Sequence, residues 1–211
     1  MQVDIWSDIV CPFCYIGKHQ FEEALADFEH KDNVAVKYHS FELDPNAELY
    51  IEHDVYEMLV NKYGINREQA IESNQTLAEK AKQHGIELNV GKSQLTNSFD
   101  AHRLVHFARE HNKEQEMLER LHKAYFTDGL HIGEVETLIE LANEVGLDKE
   151  EAKKVLISDT YTEEVRFDED AATQLGITGV PFFVIDNKFG VSGAQGKDNL
   201  LNALNQAWAE A

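Results

Sequence analysis

The sequence predicts an α/β fold: a strand–helix–strand unit at the amino end, a long all-helical stretch, and a strand–strand–helix unit at the carboxyl end. Three observations carry this prediction. Strand-like apolar segments occur only near the two ends, helical periodicity fills the middle, and both cysteines stand where the first strand gives way to the first helix. At the amino end, Val3, Ile5 and Trp6 form a short strand. From Pro12 to Glu29 the stripe Phe21, Leu25 and Phe28 marks a helix. Val34, Val36, Tyr38 and Ser40 alternate with polar or variable neighbours through Phe41 and Leu43, which predicts a second strand. Such an opening predicts parallel pairing through a right-handed crossover.

From about Glu52 to Leu175 the signals are helical. Val55, Met58, Leu59 and Tyr63 share a face that Gly64 ends. Ala70, Leu77 and Ala81 mark a second helix stopping near Gly85, and Leu104, Val105, Phe107 and Ala108 a third. Met117, Leu118, Leu121 and Phe126 mark another. Val135, Leu138, Ile139, Leu141 and Ala142 form the next, with Gly146 as its stop. Asp148, with Glu151 three residues on, reads as the cap of the following helix.

Strand character returns in Pro181-Phe182-Phe183-Val184-Ile185. Asp186-Asn187-Lys188 reads as the turn of a hairpin into Phe189-Gly190-Val191. A last helix, Lys197 to Ala209, buries Leu200, Leu201, Leu204 and Trp208. The order βαβ, helical block, ββα is that of a thioredoxin-like fold with a large inserted all-helical domain. Residues 1–50 and 176–211 form the discontinuous thioredoxin-like domain in this reading, and residues 51–175 the insertion.

A chain of 211 residues with 43% hydrophobic residues and three prolines is long and apolar enough to bury a sizeable core. Its 39 acidic and 19 basic residues give a net charge of −20. That charge disfavours nucleic acid and anionic membranes as partners. Solvated helix faces account for it, and a preference for basic protein substrates is the other reading. Met1 to Asp8 lacks the basic and apolar regions of a leader, and no apolar run approaches the roughly 18 residues of a membrane helix. The expected location is therefore cytoplasmic. In a reducing compartment, two cysteines three positions apart predict catalysis or metal binding in preference to a structural staple.

Cys11-Pro12-Phe13-Cys14 opens the first helix directly after a strand. Pro12 falls where a helix tolerates the loss of a backbone donor. The free N–H groups and the positive dipole end of the first turn favour a thiolate on Cys11. Cys14, one turn on, is expected to face inward and attack a mixed disulfide formed at Cys11. Cys11 is thus the candidate nucleophile, Cys14 the candidate resolving thiol, and Pro12 and Phe13 the residues that tune them. Half of a zinc site is the rival reading, with His102 and His106 four apart on one helix as further ligands. A Pro-Phe pair between the cysteines fits helix initiation better than a zinc knuckle. Gly179-Val180-Pro181-Phe182-Phe183-Val184 resembles the cis-proline loop that faces such a redox centre. There the Val180 backbone and Pro181 would receive an extended substrate as an added strand. An ordinary trans proline at a strand edge is the alternative.

Together with Asp8-Ile9-Val10 before the cysteines, Tyr15-Ile16-Gly17 after them, Phe41-Glu42-Leu43, Asn97 to Leu104 and Ser192-Gly193-Ala194-Gln195, these motifs make the chain similar to the DsbA family, and particularly to its cytoplasmic FrnE-like branch. The resemblance implies dithiol–disulfide exchange through a reversible Cys11–Cys14 disulfide, with no bound cofactor. The implied partners are peptides or proteins carrying thiols or disulfides, together with a thiol system that donates or accepts electrons. Glutathione or another low-molecular-weight thiol could fill the latter role. Phe13 stands where periplasmic members carry histidine, which implies a less oxidising centre.

Three readings stay open. His102, within Asn97 to His102, is a candidate substrate contact in the cleft the resemblance implies, although a cap at Ser98 explains much of the same segment. Asp8 either relays protons or orders the loop before Cys11. A kappa-type glutathione transferase or chromene-carboxylate isomerase shares this architecture, but its serine chemistry leaves a second thiol without a use.

Overall fold

The computed structural model describes residues 1–210. The chain divides into two compact units, Met1–Leu43 with Glu163–Ala211, and Asp44–Thr162. The first holds β1 (Gln2–Ser7), α1 (Pro12–Asp27) and β2 (Ala35–Ser40). The second holds α2 (Val55–Tyr63), α3 (Arg67–Lys82), α4 (Phe99–Glu110), α5 (Glu114–Lys123), α6 (Val135–Glu144) and α7 (Lys149–Leu156). Then α8 (Thr162–Gln174), β3 (Phe182–Ile185), β4 (Phe189–Ser192) and α9 (Lys197–Ala209) complete the first unit. This is the expected α/β thioredoxin-like fold with a helical insertion.

The four strands lie in the order β2-β1-β3-β4. β1 and β2 are parallel, while β3 runs antiparallel to both β1 and β4. Asp186 and Asn187, with φ of 49° and 54°, make the tight turn between β3 and β4, at two residues that tolerate the left-handed region. Side chains alternate across the pleat, so register assigns each residue to a face. Val3, Ile5, Ser7, Tyr38 and Phe183 share one face, where Phe21 of α1 packs on Phe183 with ring centroids 5.7 Å apart. Full burial of Phe21, Phe183 and Ile5 contributes roughly 1.5–3 kcal/mol each. Trp208 of α9 covers the far end of α1, stacking on His30 at 4.3 Å and edge-on to Phe28 at 6.0 Å. It stays half-buried, as does Leu201.

Asp4, Trp6, His39 and Val184 occupy the other face, under α8. The Trp6 indole donates to the Asp168 carbonyl at 2.9 Å, and Trp6 clusters with Ala172, Ile177 and Val184. His39 bridges two buried carboxylates, with Nδ1 2.6 Å from Asp168 and Nε2 2.8 Å from Asp4. These contacts explain why the units divide at 43/44 and 162/163, whereas the sequence reading divides them at 50/51 and 175/176. Helical periodicity marks α8 as a helix but does not say that its buried stripe belongs to the sheet.

In the helical unit, local capping follows the sequence closely. Asp148 accepts from the Glu151 N–H at 2.9 Å, as expected. Asn66 and Gln69 form a reciprocal capping box at the start of α3. Asp54 caps α2 and pairs with Arg67, whose guanidinium, chiefly by hydrogen bonding, pulls the Asp54 carboxyl down to about 2. Two expectations change. Ser98 makes no side-chain cap at the start of α4; Asn97 does so instead, accepting from the Phe99 N–H at 2.8 Å. Tyr63 does not share the buried face of α2 but lies exposed in its last turn, before Gly64 ends the helix at φ 66°. After α5 the chain continues as a π-helical turn, Ala124–Asp128, which carries the buried Phe126.

Candidate redox site

β1 ends at Ser7, and the next four residues turn the chain into α1. The Cys11 N–H donates to the Asp8 carbonyl at 3.2 Å. The Asp8 carboxylate ties the same loop to the segment that follows β2, accepting from the N–H groups of Val10 at 3.3 Å and Leu43 at 2.8 Å. Of its two readings at the sequence level, this geometry accounts for loop ordering. Cys11 is the N-cap of α1 in extended conformation, with Pro12 in the first turn. Its carbonyl accepts from the N–H groups of Cys14 at 3.1 Å and Tyr15 at 3.3 Å.

Both cysteines carry free thiols. Cys14 is 1% exposed and Cys11 4%, whereas Phe13 between them is 51% exposed. The Cys14 sulfur accepts the Asp8 N–H at 3.4 Å. Burial first, and then the adjacent Cys11, push the Cys14 thiol well above the usual thiol range; the Asp8 and Ser7 donors oppose them. Two thiols one helical turn apart at the start of α1 can close into a disulfide by losing two electrons and two protons.

The loop before β3 supplies the facing wall. The Cys11 thiol donates to the Val180 carbonyl at 3.7 Å. The Val180–Pro181 peptide bond is cis. Pro181 is buried, its carbonyl accepts the Gly193 N–H at 2.7 Å, and Val180 is half-buried. Gly17 of α1 lies directly against Pro181, since a Cβ there would stand 2.8 Å from Pro181 Cγ.

A DSBA-like thioredoxin domain model matches residues 2–205. The chain belongs to this family. It is 34% identical over 212 residues to the uncharacterised protein YwbO of Bacillus subtilis (strain 168), covering 97% of this chain and 96% of that protein. The crystal structure of a probable DsbA oxidoreductase, SCO1869 from Streptomyces coelicolor, superposes with a TM-score of 0.97 at 44% identity, covering 100% of this chain and 91% of that one. A 2-hydroxychromene-2-carboxylate isomerase superposes with a TM-score of 0.76 at 17% identity over 100% and 97% of the two chains, a likeness of fold alone. As a DSBA-like protein, the chain is a thiol–disulfide oxidoreductase with no helix long and apolar enough to cross a membrane among the described residues.

The structure thus brings Cys11, Pro12, Phe13, Cys14, Val180 and Pro181 of this DSBA-like protein to one end of its sheet. His102 lies in the helical unit, buried on α4. His106, one turn further along α4, stacks on Tyr161 and lies 3.2 Å from Arg109. Among the described residues no group of three or more His, Cys, Asp or Glu side chains is arranged to hold a metal ion. A separate cavity of about 310 Å³, lined by Tyr50, His53, Leu95 and His131 among others, lies wholly within the helical unit. Sequence reasoning missed Gly17, whose signal was positional: it follows Cys14 by less than one helical turn.

Proposed function

We propose that Cys11 and Cys14 are the redox centre of this oxidoreductase, exchanging disulfides with peptide or protein substrates. In the reductive direction the Cys11 thiolate attacks a substrate disulfide. One substrate sulfur leaves with the electron pair and takes up a proton, and the other stays bonded to Cys11. Cys14 then loses its proton and attacks Cys11 Sγ, forming the Cys11–Cys14 disulfide and releasing the second substrate thiol. The substrate gains two electrons and the protein loses two. The reverse sequence oxidises a dithiol substrate.

The observation that carries this reading is the asymmetry of the two sulfurs. Cys14 is enclosed and held as a thiol, while the Cys11 sulfur touches the Val180 carbonyl at the half-buried lip of the site. When Cys11 bonds to substrate its S–H is consumed, which frees that carbonyl to accept an N–H from an extended substrate strand. Half-exposed Phe13 and half-buried Val180 offer an apolar footing, and the acidic surface favours basic substrates. The thiol pair carries the electrons, so the reading needs no bound cofactor. Glutathione or another small thiol is the candidate for recycling it in the cytoplasm.

Insulin reduction tests the proposal against the isomerase or transferase alternative. Wild-type protein is expected to reduce insulin disulfides in the presence of glutathione, and Cys11→Ser to lose that activity. Glutathione addition to an aromatic electrophile that survives in Cys14→Ser, without insulin reduction by the wild type, would instead favour the alternative.

A further inference from the structure

We infer that His39, bridging Asp4 and Asp168 on the face of the sheet away from α1, is a positioning residue: it fixes α8 so that the loop after this helix presents the Val180 backbone to substrate. The inference rests on the strand-addition reading of Val180 given above.

Strand register builds the bridge. Trp6 of β1 is in register with His39 of β2, and their rings stack with centroids 4.4 Å apart and planes 14° from parallel. Each ring nitrogen of His39 lies at hydrogen-bond distance from a carboxylate, Asp168 at 2.6 Å and Asp4 at 2.8 Å, and all three side chains are buried. Asp168 is held at two further points. Its second carboxylate oxygen accepts the Ser40 N–H at 3.0 Å, and its backbone carbonyl accepts the Trp6 indole N–H at 2.9 Å. An imidazole ring offers a nitrogen on each side for such a bridge, whereas a glutamine amide has its nitrogen at one end only.

What the bridge fixes leads to the redox site. One helical turn after Asp168, Ala172 joins Trp6, Ile177 and Val184 in a buried cluster, and the Ile177 N–H closes the end of α8 on the Ala172 carbonyl at 2.9 Å. Phe41, Phe182 and Val180 pack against that cluster. The Val180 carbonyl in turn receives the Cys11 thiol at 3.7 Å. A contiguous path of hydrogen bonds and packed side chains thus runs from His39, through Asp168 and Trp6, to the residue that faces Cys11. The path ends on a backbone carbonyl and not on a catalytic sulfur. Loosening it therefore penalises a substrate that docks through its own backbone, and spares one that needs only Cys11 Sγ.

The experiment compares two disulfides reacting with the reduced protein, each reaction quenched with acid and read by intact mass. One is the symmetric disulfide of an uncharged, cysteine-containing hexapeptide; the other is 2-hydroxyethyl disulfide, which has no peptide backbone. In His39→Gln the peptide disulfide is expected to react about 10-fold more slowly, the size of one lost hydrogen bond, while 2-hydroxyethyl disulfide stays within about twofold of its wild-type rate. Trp6→Phe keeps a ring in the cluster but gives up the indole N–H on the Asp168 carbonyl. It should show the same selective loss in smaller measure, and it carries the test if His39→Gln does not fold. Equal losses toward both disulfides would point to general damage at the thiol pair, and unchanged peptide rates to a Val180 held without the bridge. Either result overturns the inference. If the wild type reacts with the peptide no faster than with 2-hydroxyethyl disulfide, the strand-addition reading falls and the inference with it. If it reacts with neither, the exchange reading itself falls.

Discussion

Gly17 and Pro181 meet with no room for a side chain between them: a Cβ on Gly17 would stand 2.8 Å from Pro181 Cγ and 3.6 Å from the ring of Phe183. The ring carbon belongs to a buried proline whose carbonyl is itself tied to Gly193, so it has little freedom to retreat. Helix propensity favours alanine over glycine at an interior position by about 1 kcal/mol, but overpacking costs about 1–3 kcal/mol. Gly17→Ala is therefore expected to lower stability by up to about 2 kcal/mol in urea denaturation, and to slow insulin reduction by moving Val180 relative to Cys11. A stabilised, fully active variant would contradict this packing.

Both thiols are buried, but Cys14 is held as a thiol by its surroundings while Cys11 borders the half-buried Val180, and that difference sets their labelling. Iodoacetamide is expected to modify Cys11 first, with Cys14 unreacted at neutral pH because it is enclosed and remains a neutral thiol. Cys14→Ser should accumulate a stoichiometric mixed disulfide with substrate, while Cys11→Ser forms none. Peptide mass mapping and non-reducing electrophoresis read both outcomes, and equal labelling rates would refute the assignment.

The raised Cys14 pKa also ties stability to pH. Below the free-thiol value of about 8.5 both folded and unfolded states hold the proton, and the stability is fully present. Above it the unfolded chain ionises while the folded protein does not, so stability falls as pH rises toward the folded value. The reduced wild type is expected to lose stability between about pH 8.5 and 10 more steeply than Cys14→Ser. Parallel curves by urea denaturation would show that Cys14 is not the source.

Phe13 is half exposed, so replacing it empties no core. In Phe13→His an imidazole beside Cys11 favours the thiolate and with it the reduced state. The equilibrium potential is expected to become more positive, by about 30 mV for each tenfold change in the exchange constant. Glutathione-buffer equilibria measure it, and an unchanged or more negative value would count against this account.

On the opposite face of the sheet, Asp168 accepts from the Ser40 N–H at 3.0 Å and holds His39 at 2.6 Å. Asp168→Ala removes both contacts in a buried place and should cost about 3–5 kcal/mol. Asp168→Asn, which keeps an acceptor, should cost less. Equal stability of the two variants in urea denaturation would refute the network.

Local sequence determined the elements because their causes are local. Asp148 with Glu151, Gly64 and the Asp186-Asn187 turn act within a few residues, and the bounds of α9 followed from its periodicity alone. Cys11-Pro12-Phe13-Cys14 was legible for the same reason: its chemistry depends on one helix start. Three things were decided only by the tertiary structure. The assignment of α8 to the sheet rests on Asp168 reaching His39 and Trp6 from about 130 and 160 residues away. The tight fit of Gly17 depends on Pro181, which no local pattern links to it. Ser7 read as an ordinary strand residue until register put it, buried, on the sheet face that α1 covers. Propensity and periodicity report a residue's neighbours along the chain, whereas the ionisation of a buried sulfur depends on donors and burial supplied by whatever the folded chain brings against it.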